Sequence, residues 1–239
     1  MSSSLLAALV LIPTAAVVVA LFAVMWRRRS SPRTARAAVV GGIVLAAWAI
    51  VTAKLALDGF YAPDEAQAFP PIGLPLIVAL VLLAVVLTTS PSLRTLLSDQ
   101  KDLIRLNLWR LEGAVFLLLA VNGQVPLLWA IPAGVGDVLV GSTAFWVASR
   151  LDAPSGKRLA VAFNLFGLVD LVVAVGLGIA TNPGPTQLFR TTPTSELLTR
   201  FPLALVPTFL VPLAFALHIV SLWQLSRASW APSTWRRDS

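Results

Sequence analysis

The chain has 239 residues, of which 57% are hydrophobic and 12% charged; it has no cysteine and a mean hydropathy of +0.84. Soluble domains average roughly 45–50% apolar and about 25% charged, and burial on folding saturates near three quarters of the surface, so a water-soluble fold of this size cannot hide the excess. The composition excludes a soluble enzyme, a disordered tail and a disulfide scaffold, and the formal charge of +7 falls in short clusters between apolar runs, which encodes membrane orientation and not a nucleic-acid surface.

A bilayer core of about 30 Å takes about 20 apolar residues per helix. Seven runs qualify, 4–26, 37–57, 71–89, 103–122, 127–149, 158–180 and 202–225, predicting an all-α polytopic membrane protein with one transmembrane domain over 1–239. Residues 1–4 carry no basic side chain, while Arg27, Arg28 and Arg29 follow the first run. That is a stop-transfer pattern and not a cleaved signal, so the N-terminus is expected outside. Lys54 and Asp58 read as an interfacial pair at the outer end of the second run. Between the third and fourth, Ser90-Pro91 suits a helix start. Leu93, Leu96, Leu97 and Ile104 then recur opposite Arg94, Lys101 and Arg105, predicting a short interfacial helix over 90–102.

The fifth run is the weakest, because Pro126 and Pro132 flank a Gly-rich start; without it the count would be six. The Pro- and Thr-rich stretch 181–201 reads as a connector with a short helical turn from Thr194. In the seventh run Pro202 suits a start, whereas Pro207 and Pro212 are interior and each removes a backbone hydrogen bond. A kink follows, and its freed carbonyls need partners. The tail 226–239 is expected in the cytoplasm, with Trp230 and Trp235 beside Arg236 and Arg237 as an interfacial anchor.

Charge placement agrees with this topology. Fourteen Lys and Arg fall on the expected inner side (Arg27 to Arg36, Arg94 to Arg105, Arg150 to Arg158, Arg227 to Arg237), against Arg190 and Arg200 outside. The bias alternates across every span, so the expectation is a plasma-membrane protein, N-terminus out and C-terminus in.

Ionisable groups inside spans are costly and mark function. At 1.5 Å per residue, Asp137, Glu112 and Asp170 lie about 14–18 Å deep on three different helices, in one central layer. Arg110, Asn164 and His218 lie below it, roughly 10 Å from the inner edge. Gly134 and Gly141 share the face of Asp137, with Gly136 adjacent, so helices or a ligand can approach closely there. Asp170 shares a stripe with Asn164 and Gly167. Arg110 and Glu112 are about 200° apart on an α-helix and cannot pair with each other. Each needs a partner elsewhere, or Arg110 snorkels to the headgroups beside Asn107.

These residues predict a polar pathway: carboxylates that exchange protons or bind a cation, with His218 and Asn164 leading inward. The expected function is a transporter or channel for a proton, cation or small polar solute. The alternatives are a membrane-embedded enzyme on a lipid-phase substrate, and a structural or accessory subunit, alone or in an oligomer. No cofactor is expected: haem on His218 needs a second axial group, there is no second histidine, and only Met25 offers a His/Met pair. No ligand spacing defines a metal site around His218. Seven spans with an outside N-terminus are similar in topology to rhodopsin-like receptors and SWEET-type sugar transporters. The seventh span has no lysine for a retinal Schiff base, however, and no Pro-Gln dipeptide occurs. Walker, His-Glu-x-x-His and Gly-x-Ser-x-Gly signatures do not occur either.

Overall fold

The computed structural model describes residues 2–64 and 69–227, so the tail residues Trp230, Trp235, Arg236 and Arg237 lie outside the described residues. No strand occurs among the described residues. In chain order the helices are α1 (Ser3–Arg27), α2 (Pro32–Leu57), α3 (Leu74–Thr89), α4 (Pro91–Leu96), α5 (Gln100–Arg105), a 3₁₀ segment (Leu106–Gly113), α6 (Ala114–Val121), α7 (Leu127–Ser149), α8 (Gly156–Ala180), a π turn (Val206–Leu210) and α9 (Val211–Arg227). Among the described residues six stretches are long and apolar enough to cross a membrane: α1, α2, α3 with the short 3₁₀ turn before it, α7, α8, and α9 with its π turn.

Helix starts follow local chemistry. The Ser2 side chain accepts the Leu5 N–H to cap α1. At α2, Ser31 and Thr34 form a reciprocal capping box with Pro32 at the first helical position. The helix therefore begins five residues ahead of the apolar run, and its basic first turns project beyond it.

The fourth span corrects the reading. The weakness expected in the fifth run is absent, since residues 127–149 form one 23-residue helix. The break falls instead in 103–122, which is built as α5, the 3₁₀ segment and α6 in succession. Eight residues of 3₁₀ helix is long for this form, which rises about 2.0 Å per residue and eclipses side chains at every third position. Its residues thus fall into stripes. Asn107, Arg110 and Gly113 are buried together, while Leu108 and Leu111 are exposed. The expected interfacial helix is also divided: Ser90 caps α4, the chain leaves helix at Leu97, and Asp99 caps α5.

The bundle is arranged around α9. Of the apolar window of that crossing 67% is buried, against 11–44% for the other five. Outward faces are apolar, with Ile43, Val81, Val121 and Val172 exposed as lipid contact requires. At one end Arg28 pairs with Asp99 and Asp102, and Lys101 with Asp152. This end, which also carries Arg27, Arg105 and Arg227, is called the arginine-rich end below. At the opposite end Lys54 pairs with Asp58, and the Thr194 hydroxyl caps a 3₁₀ turn over Ser195–Thr199.

The prolines of the last crossing have a local solution. Pro212 has no N–H to give the Thr208 carbonyl, and the backbone runs as a π turn there. The freed carbonyl accepts the Trp48 indole N–H at 3.0 Å. Trp48→Phe keeps an aromatic ring, though a smaller one, and takes the indole donor from that carbonyl; it is expected to lower stability by about 1–3 kcal/mol. Thermal unfolding of the purified variant in detergent measures it, and an unchanged midpoint would show that the carbonyl finds another donor.

Candidate functional site

Arg110 is the centre of the site. It projects from the buried stripe of the 3₁₀ segment, is 0% exposed, and reaches three other helices. Its Nε donates to Asp137 Oδ1 on α7 at 2.6 Å, and its Nη2 donates to Asp170 Oδ2 on α8. Its Nη1 donates to His218 Nε2 on α9 at 3.1 Å. The planar fork of guanidinium donors allows this; a lysine ammonium has no such geometry. With one cation and two carboxylates the centre carries a formal charge of −1.

Glycines make the approach possible. A Cβ on Gly134 would stand 2.8 Å from the Gly113 carbonyl oxygen, and a Cβ on Gly113 would stand 2.3 Å from Asp137 Cβ. The 3₁₀ segment and α7 therefore cross backbone to backbone. Gly136 faces the Asp170 carboxylate, and Gly167 faces the His218 ring.

Because Arg110 can only donate, His218 Nε2 accepts, and its Nδ1–H donates to Asn164 Oδ1 at 2.9 Å. The chain of donors continues in one direction. Asn164 Nδ2 donates to Ser221 Oγ at 2.8 Å, and Ser221 Oγ to Gln100 Oε1 at 2.6 Å. Gln100 Nε2 donates to Gln224 Oε1 at 2.9 Å, and Gln224 to the Leu97 carbonyl. A buried polar strand thus runs from the acid pair to the arginine-rich end. Arginine does not release its proton, and amides do not pass protons on. The strand holds His218 and Arg110 in place and is not a proton wire.

On the other side of Arg110 lies a cavity of about 80 Å³, bordered by Asp137. Its walls come from α3, α7 and α8, chiefly Leu76, Trp129 and Val175, and from Pro207 of the π turn. Ser195 and Thr199 roof it from the connection at the opposite end. That volume holds a few waters or one compact organic group, well short of a drug-sized ligand. The Asp137 side chain is 15% exposed, while Arg110 and His218 are fully buried.

Of the six residues singled out from the sequence, Arg110, Asp137, Asp170, His218 and Asn164 are joined in one network. Glu112 is not. It lies on the α1 side of the 3₁₀ segment, and neither of its carboxylate oxygens has a hydrogen-bond partner. Arg110 does not snorkel, and Asn107 donates locally to the Leu103 carbonyl at 3.1 Å. Sequence reasoning missed Ser221, Gln100 and Gln224. His218, Ser221 and Gln224 recur every third residue on the last crossing, a polar stripe that could have announced them. Among the described residues no group of three His, Cys, Asp or Glu side chains is arranged to hold a metal ion.

A family model described as "Domain of unknown function (DUF8737)" matches residues 69–226. The match contains all six candidate residues and leaves out α1 and α2. Neither the curated proteins nor the solved structures contain a match.

Proposed function

The chain belongs to the family described as Domain of unknown function (DUF8737), a grouping that assigns no chemistry, and from the site itself we propose that it is a transporter for a small cationic or proton-exchanging solute. In this reading α5, the 3₁₀ segment and α6 make a seventh crossing. The arginine-rich end faces the cytoplasm of a plasma membrane, and the cavity opens from the outer half. The observation that carries it is that Asp137 alone of the buried charged centre borders the cavity. A solute bringing positive charge or donors to that carboxylate competes with Arg110 for it. Its apolar part is covered by Trp129, Leu76 and Val175. In this reading the prolines and π turn beside the cavity act as the hinge, since π-bulges are frequent at functional sites and helices kink at them.

Asp137→Asn tests this in vesicles carrying the purified protein. Uptake of small organic amines, or proton movement driven by them, is expected to fall about tenfold or more while the protein stays folded. Unchanged flux would remove the reading. A second reading, an accessory subunit, draws on the completeness of the polar strand, in which each amide and hydroxyl has a partner. In that case Asp137→Asn leaves every gradient unaffected and lowers only assembly or abundance.

A further inference from the structure

A second buried charge lies outside the network, in a groove between α1 and the 3₁₀ segment. On α1 the residues Pro13, Ala16, Ala20 and Ala23 recur at steps of three and four, and their small side chains leave a trench of about 820 Å³. The facing wall is the eclipsed stripe Leu106, Trp109 and Glu112. Glu112 is 7% exposed, and among the described residues neither of its oxygens has a hydrogen-bond partner. Burying a bare carboxylate is strongly unfavourable unless something compensates it.

Among the described residues no side chain supplies that compensation. Arg110 leaves the segment on another face and is consumed by Asp137, Asp170 and His218. From α7, Asp137 is close enough to act on Glu112 electrostatically, with the wrong sign to help. Arg27 of α1 and Asp102 and Arg105 of α5 line the mouth at the arginine-rich end, about 14 Å away at the 3₁₀ rise from Arg105 to Glu112. A metal cation would need several oxygen ligands, which this apolar trench does not offer. A proton needs only the one carboxylate.

We propose that Glu112 is a proton-binding site, loaded from the arginine-rich end through this groove. Glu112 and Asp137 are then consecutive acids on the two sides of Gly113, where the two backbones cross closely. Asp137 faces the cavity from the opposite end, and Glu112 faces the groove. The place of this acid in a transport cycle rests on the reading above; proton binding by Glu112 does not.

Infrared difference spectra of the full chain in lipid vesicles read the carbonyl stretch of a protonated carboxylic acid. That band is expected to vanish in Glu112→Gln, to shift in Glu112→Asp, and to persist in Asp137→Asn. Its exchange in D₂O is expected to slow by about tenfold in Ala20→Trp, which narrows the trench with a bulky side chain and leaves the acid untouched. A Glu112→Gln spectrum identical to the parent overturns the site, and unchanged exchange in Ala20→Trp overturns the route. If Asp137→Asn leaves solute flux intact while the Glu112 band behaves as expected, the transport reading falls and this assignment stands.

Discussion

Arg110→Met is expected to be among the most damaging substitutions in the chain. It leaves Asp137 and Asp170 facing one another without their shared cation, and His218 Nε2 without its donor. Breaking a buried ion pair by removing one partner costs about 3–5 kcal/mol, because the remaining charge is stranded in low dielectric. At this chain length that lowers the unfolding midpoint by on the order of 10 °C. Heating the purified protein in detergent and following the surviving monodisperse fraction measures it. Arg110→Lys keeps the charge but not the three-way fork, and is expected to fall between the parent and Arg110→Met. The decisive comparison is the triple variant Arg110→Met, Asp137→Asn, Asp170→Asn. With no charge left to strand, it is expected to recover most of the loss. If the single variant is as stable as the parent, Arg110 is not the cation that holds this buried cluster together.

How much of this was legible in the sequence depends on the residue. Long apolar runs declare themselves, because lipid tolerates no alternative to a satisfied helix. Four of the six long crossings accordingly match their runs closely; α2 begins five residues ahead of its run, and the last begins later than its run because residues 201–204 form turns before the π segment. The 3₁₀ segment did not declare itself. Nothing in residues 106–113 is a strong helix breaker before Gly113, and the tighter winding reflects tertiary demands: Arg110 directed between α7, α8 and α9, and Gly113 laid against Gly134. Depth was readable and direction was not. Glu112 was placed in the same layer as Asp137 and Asp170, yet it faces α1, away from the arginine that binds the other two. Arg110 was placed a layer lower, and its long side chain bridges that difference. The glycines beside Asp137 and Asp170 were readable as close-approach positions, but which groups they admit depends on the packing.

Those glycines carry the other large expected effect. In Gly136→Ala the new Cβ would stand 1.6 Å from Asp170 Oδ1 and 2.4 Å from its Cγ, distances no packing permits. Either Asp170 leaves Arg110 or α7 and α8 separate, and both dismantle the centre. The expected cost is about 3 kcal/mol or more, combining overpacking with a broken buried pair. Gly176→Ala is the control on α8: nothing lies within 4 Å of its Cβ position, so the change is expected to be neutral or to stabilise by up to about 1 kcal/mol through helix propensity. A double-mutant cycle identifies the cause. If Gly136→Ala acts by expelling the Asp170 carboxylate, it should cost much less in an Asp170→Ala background, with a coupling of about 0.5–3 kcal/mol. Additive losses would mean that the alanine acts elsewhere, and that Gly136 does not hold Asp170 against Arg110.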